Sequence, residues 1–187
     1  QLTSHITGCC SHLLCKVCHN LLIRGVHRSI ILKAVHVCFC SANLGCHAAC
    51  ECKALIAIKE IGLGRNSAVA SIIHDVVRIA DKRKDENLVA LLEQIRTLFG
   101  EQVVGIVVGL ANISSIKLKT SKEQASDFRD MIVSYSEDPR VILIKLADRL
   151  EVMRSLKIFP KEKWRKKSWE SMNLYAQIAH KLGLYNI

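Results

Sequence analysis

Past residue 52 the chain has no cysteine, and before residue 51 it has no acidic residue. Nor is there a long hydrophobic run: Val103 to Ile113 and Val141 to Ile144 are the longest strongly apolar stretches, shorter than the roughly 20 residues a membrane-spanning helix requires. The first 30 residues scatter Cys, His and Arg through their apolar positions, without the basic start, compact apolar run and small-residue cleavage site of a secretory leader. Glycine-rich phosphate loops are missing, which removes the common ATP- and GTP-binding motifs. No repeat at a period of 20 to 50 residues and no low-complexity tract is present, which excludes solenoid and linker architectures. These absences lead to the expectation of a cytoplasmic chain without a membrane partner.

What is present suits a folded domain. A length of 187 residues, half of them apolar and 24% charged, is enough for one substantial core. The net charge of +10 favours anionic partners such as nucleotides, nucleic acid or a membrane surface. Composition shifts near residue 52. All nine cysteines and six of the eight histidines precede that point, with four basic residues against one acidic, a balance of +3. The remainder has 23 basic and 16 acidic residues, +7, an ordinary charge density.

Within residues 1–52, Cys15-Lys16-Val17-Cys18-His19 has the form of a haem-attachment motif, and other Cys and His could ligate zinc. Against this, Cys9-Cys10 and Cys38-x-Cys40 lack knuckle spacing. An odd cysteine count without a leader speaks against disulfides and for reduced thiols. A blander reading is a non-native segment joined to an in-frame remainder, with poor order expected there.

From Lys53 the period is helical, and strand-type alternation is absent, so the expected class is all-α, a helical bundle over residues 53–187. Lys53 to Ile61 reads as a helix stopped by Gly62 and Gly64; Ser67 to about Ala80 forms a second, followed by the charged run Asp81 to Asp85. Asp85 can cap a third helix closed by Gly100, and Glu101 to about Ile113 is apolar on nearly every side and hence central. Ser121-x-x-Gln124 is a capping box for a fifth helix to about Ser136. Asp138-Pro139 starts a sixth running to about Phe159, and Pro160 opens a seventh.

Two placements are costly. His74 and Asp75 stand side by side in a helix otherwise built for burial, so the ring needs a hydrogen bond or a metal. Asp148 shares an inner face with Val141 and Ile144, and a buried carboxylate needs a cation. An arginine such as Arg149 or Arg154 is the simple structural answer. The other answer is a divalent ion: His and Asp together on one helix with a second Asp on a later one offer borderline and hard ligands, for which Mn²⁺ is a natural choice. Such an ion can acidify bound water and stabilise charge on phosphate.

Five separated blocks then resemble one family in order and spacing: Ile73-His74-Asp75-Val76-Val77, Phe99-Gly100-Glu101, Phe128-Arg129, Arg140 through Leu150, and Tyr175-Ala176-x-x-Ala179-His180-Lys181-Leu182-Gly183-Leu184. Together they are similar to the HD-type hydrolase domain of the RelA/SpoT enzymes, over roughly Ala54 to Ile187. The resemblance implies that His74, Asp75 and Asp148 are three of four protein ligands of Mn²⁺, and that the reaction is removal of the 3′-pyrophosphate from guanosine tetra- and pentaphosphate. It also implies substrate contacts from Arg154 and Lys145.

The chain departs from the family pattern at several points. The fourth ligand, a histidine within an upstream Arg-x-x-Gly-Glu-Pro-Tyr-x-x-His-Pro stretch, has its place near Ala49, with His47 the nearest substitute. The family's Glu-Asp pair, assigned to water activation, is replaced by Arg78-Ile79, and its His-Asn by Glu151-Val152, although Met153 and Arg154 remain. Losing a ligand and the acid/base pair costs several powers of ten in rate. The expectation is therefore a degenerate, catalytically weak or inactive hydrolase-like module. It would bind a guanosine polyphosphate and regulate a synthetase domain that this sequence, ending at Ile187, does not encode.

Two other readings stay open: an active Mn²⁺-dependent pyrophosphohydrolase using His47 or water as fourth ligand, and a basic helical module for RNA. The latter rests on Lys157, Lys161, Lys163, Arg165, Lys166 and Lys167 with Trp164 and Trp169, a run that more simply decorates a solvated helix.

Overall fold

A computed structural model describes residues 47–84, 86–115 and 138–187, with side chains from Lys53 onward apart from Ser115. The capping box at Ser121, the Phe128-Arg129 block, Asp85 and the cysteine-rich stretch up to residue 46 lie outside the described residues, as does the side chain of His47. Among the described residues the chain is all-α. The helices are α1 (His47–Lys59), α2 (Arg65–Arg83), α3 (Leu88–Phe99), α4 (Glu101–Ser115), α5 (Pro139–Arg154), α6 (Lys161–Glu170) and α7 (Ala176–Lys181). A 3₁₀ turn (Leu156–Ile158) follows α5, and a single π turn (Ser171–Tyr175) joins α6 to α7.

The helix boundaries follow from local chemistry. Gly62, at φ 84°, takes the left-handed turn after α1 that a side chain would resist, and the Leu63 amide donates back to the Ala57 carbonyl. Asp138 caps α5 by accepting from the Arg140 amide at 2.9 Å, with Pro139 at the first helical position. Helix α2 outruns its expected end at Ala80: Asp81, Lys82 and Arg83 are exposed, tolerate the helix well, and Lys84 ends it at φ 54°. Helix α5 falls short of Phe159, stopping at Arg154. Phe159 precedes a proline, whose ring excludes it from the helical region, and it is extended at ψ 151°. The Ser155 hydroxyl donates to the Glu151 carbonyl at that end. Helix α3 starts at Leu88 with Asn87 at its N-cap.

The centre of the fold is α2 together with α4. Helix α2 buries ten residues between Ser67 and Val77, far more of its circumference than one amphipathic stripe. Small residues make this feasible: Ala68, Ala70, Ser67 and Ser71 let neighbours approach, and Ser71 satisfies its hydroxyl on the Ser67 carbonyl at 2.7 Å. Helix α4 contributes Val103, Ile106, Val107 and Leu110 to the same core. It meets α5 at Gly109, where a Cβ would stand 2.9 Å from a methyl of Val141. A second apolar seam, Ile56 and Ala57 against Ala147 with Leu150 beside them, locks α1 to α5. That seam sets the distance between the charged groups described below.

The Asp138 cap provides a test of this construction. Hydrogen bonds from Arg140 hold its carboxyl below the ordinary value of 3.8. A group whose pKa is depressed by folding stabilises above its unfolded pKa and loses that contribution as the pH falls through the folded one. Asp138→Ala is therefore expected to cost about 1 kcal/mol at neutral pH. The difference from the parent should fade in denaturant titrations taken well below pH 3.8.

Candidate functional site

Three helices converge on one charged cluster. Helix α2 supplies His74, Asp75 and Arg78; α5 supplies Lys145 and Asp148; and α1 supplies Lys53, which is buried. The structure thus brings together the His74, Asp75 and Asp148 that the sequence singled out, and places an ammonium between the carboxylates. Lys53 Nζ lies 3.0 Å from Asp75 Oδ2 and 2.8 Å from Asp148 Oδ1. Lys145 Nζ donates to Asp148 Oδ2 at 3.2 Å and to the Ser114 hydroxyl at 3.1 Å. Arg78 donates to Asp75 Oδ1 through Nε at 3.0 Å and Nη2 at 2.8 Å. Every carboxylate oxygen of the pair accepts from a cation, and three cations face two carboxylates.

The electrostatics follow from this packing. Burial works against a charged Lys53, but Asp148 and Asp75 outweigh it and hold its pKa well above the ordinary lysine value. Burial alone would push both carboxyls up; for Asp75 the charge that His74 carries at low pH, with those of Lys53 and Arg78, reverses this, and for Asp148 the Lys145 and Lys53 charges do so. Both therefore lie well below the usual carboxylate range. His74 is fully buried, which pushes its pKa down and keeps the ring neutral. Its Nδ1 is 3.0 Å from the Ser71 carbonyl, which can only accept, so Nδ1 carries the hydrogen. The bare Nε2 faces Asp75 Oδ1 at 3.7 Å.

Other expected residues are distributed differently. The cation for Asp148 is neither Arg149 nor Arg154. Arg149 is one position further round the helix, where it pairs with Glu170 at 2.9 Å and lies over the Tyr175 ring at 4.3 Å. Arg154 forms a two-pronged pair with Glu60 at 2.5 and 2.8 Å, outside the cluster. Lys145 is in the cluster. Arg78 is bound to Asp75, while Ile79 lines a groove between α2 and α3 with Val76, Ala80 and Leu91. On α6, Lys161, Lys163, Arg165 and Lys166 are exposed. Trp164, however, donates its indole N–H to the Phe159 carbonyl, and Lys167 lies over the Phe159 ring at 4.1 Å. Those two groups are engaged within the chain.

Lys53 is the residue that sequence reasoning passed over. A signal existed: it stands three and four positions before Ile56 and Ala57, on the apolar face of its helix, where a lysine has to find an anion.

The HD domain family matches residues 45–185. The chain belongs to that family. Within it, this HD domain is of the RelA/SpoT kind, as the five sequence blocks implied. It is 38% identical over 130 residues to the guanosine-3′,5′-bis(diphosphate) 3′-pyrophosphohydrolase of Aquifex aeolicus, covering 70% of this chain and 17% of that protein. Against the bifunctional (p)ppGpp synthase/hydrolase SpoT of Escherichia coli the identity is 35% over 131 residues, covering 70% of this chain and 18% of that protein. Against the GTP pyrophosphokinase of Streptomyces coelicolor it is 35%, covering 70% and 14%. The chain spans less than a fifth of the length of these relatives. No helix among the described residues is long and apolar enough to cross a membrane.

Proposed function

We propose that this HD domain is a module of guanosine-polyphosphate metabolism that binds the nucleotide and cleaves it weakly or not at all, acting as a regulatory partner of a nucleotide synthetase domain. The substrate class rests on the names of the relatives. The loss of catalysis rests on one observation: all four oxygens of Asp75 and Asp148 are taken by Lys53, Lys145 and Arg78.

Hydrolysis of a phosphoric anhydride needs a water activated by a base or by a metal. Ion-paired at both oxygens and held well below the usual carboxylate range, Asp75 and Asp148 are poor bases toward water. Arg78 stands where an acidic residue would take the proton from water, and a guanidinium cannot accept a proton. The Mn²⁺ implied by the resemblance does not fit the residues as arranged. Its three candidate protein ligands are present, but the space between the two carboxylates is spanned by the Lys53 ammonium.

The same arrangement suits binding. With His74 neutral, the described residues of the cluster carry one positive charge in excess, in a partly buried setting where attraction to phosphate is less screened than at the surface. Lys145 bears on this most directly, because its second contact is to a neutral hydroxyl. Lys145→Gln is expected to weaken binding of guanosine tetraphosphate by about tenfold or more, the worth of one charge-assisted hydrogen bond. Calorimetric titration checks this, with circular dichroism confirming the fold. An unchanged affinity would place the nucleotide elsewhere and remove the support for this site.

A further inference from the structure

We infer that Lys53 is a built-in replacement for the divalent cation: its ammonium, tethered through α1, neutralises Asp75 and Asp148, and the site excludes metal ions while it stays there. This goes beyond the nucleotide reading and does not depend on which anion the domain binds.

The geometry is that of a bridging cation. One nitrogen contacts oxygens on two helices, Asp75 of α2 at 3.0 Å and Asp148 of α5 at 2.8 Å. Its position is fixed by packing as well as by charge. The α1–α5 seam places Ile56 and Ala57 against Ala147, so that the residue one turn before Ala57 meets the residue following Ala147. The lysine side chain is 9% exposed.

Two costs oppose a metal ion entering. Displacing the ammonium strands a buried charge, since both of its anions would pass to the metal. The cluster already holds three cations for two carboxylates, and a divalent ion would raise that excess with Lys145 and Arg78 still in contact. A tethered cation, in contrast, is present at high effective concentration and loses little freedom on pairing.

The substitution has a sharp consequence. Removing the ammonium while keeping an apolar stem leaves two carboxylates and an imidazole with a bare Nε2, the donors a divalent ion accepts. The test is titration of Mn²⁺ alone into the parent chain and into Lys53→Met, following free ion by electron paramagnetic resonance and thermal unfolding on the same samples. The parent is expected to take up no stoichiometric ion and to keep its Tm in millimolar Mn²⁺. Lys53→Met should bind one ion per chain at least about tenfold more tightly and gain thermal stability from it, as expected for a ligand of the folded state.

A stoichiometric ion in the parent overturns the inference, as does a folded Lys53→Met with no gain. Amine labelling of the parent gives a reading independent of the variant's folding. Lys53 should acylate far more slowly than exposed Lys166, with the same rate when Mn²⁺ is added. Faster labelling of Lys53 in Mn²⁺ would mean that the metal expels it, which contradicts the inference.

Discussion

Asp148→Ala is expected to lower folding stability by about 3 kcal/mol, toward the low end of the 3–5 kcal/mol typical for breaking a buried ion pair. Its carboxylate neutralises two ammonium groups, Lys53 at 2.8 Å and Lys145 at 3.2 Å, and Lys53 has almost no contact with solvent. The low end applies because the Asp148 side chain retains 18% exposure, which lets water soften the loss. The cost is mainly that of stranding the lysines, so Lys53→Met made in the same chain should recover a substantial part of it. Urea unfolding of both single variants and the double variant gives the coupling directly. A loss below about 1 kcal/mol, the range of exposed pairs, would show that solvent screens the cluster and that its electrostatics do not constrain chemistry.

Converting Arg78→Glu and Ile79→Asp together is expected to leave pyrophosphate release from guanosine tetraphosphate at background. General acid–base catalysis is worth about 10²–10⁴ in rate, and a carboxylate at position 78 would restore one part of it. The rest of the machinery would stay blocked: removing the guanidinium frees only Asp75 Oδ1, while Lys53 still holds Asp75 Oδ2 and Asp148 Oδ1. A new carboxylate at 78 would also stand near Asp75 on the same helix face, where its natural partner is a cation already in the cluster. A gain of more than about 100-fold from these two changes, read by a coupled pyrophosphate assay, would mean that the acid pair was the one missing component.

Much of this fold was readable because its punctuation is chemical. Gly62, Gly100, Asp138-Pro139 and Pro160 bound the helices they were expected to bound, each by a local conformational restriction that no tertiary contact needs to supply. Helix α1 starts at His47, well before the expected Lys53, and two further ends were misjudged for opposite reasons. Helix α2 continues through Arg83 because charged residues end a helix only when something stops it, and the stop comes at Lys84. Helix α5 stops at Arg154 although its pattern runs on: the chain turns through the 3₁₀ segment Leu156–Ile158, and the proline at 160 holds Phe159 extended beyond it.

In the site, the unusual positions of His74, Asp75 and Asp148 were visible as polar groups on apolar faces. The identity of their partners was not. Lys53 is 22 residues from Asp75 and meets it only through the packing of α1 against α2 and α5. Choosing Arg149 or Arg154 as the counter-ion of Asp148 favoured proximity in sequence, but residue 149 is rotated away from the face of residue 148, and residue 154 reaches Glu60 instead.

The most direct measurement is a time course of pyrophosphate release by the whole chain, with guanosine tetraphosphate binding measured by calorimetry on the same preparation and excess Mn²⁺ present throughout. The account predicts saturable nucleotide binding with no release above the protein-free control. Release that saturates with nucleotide and requires Mn²⁺ would contradict it, since that would need a metal between the carboxylates where Lys53 now sits.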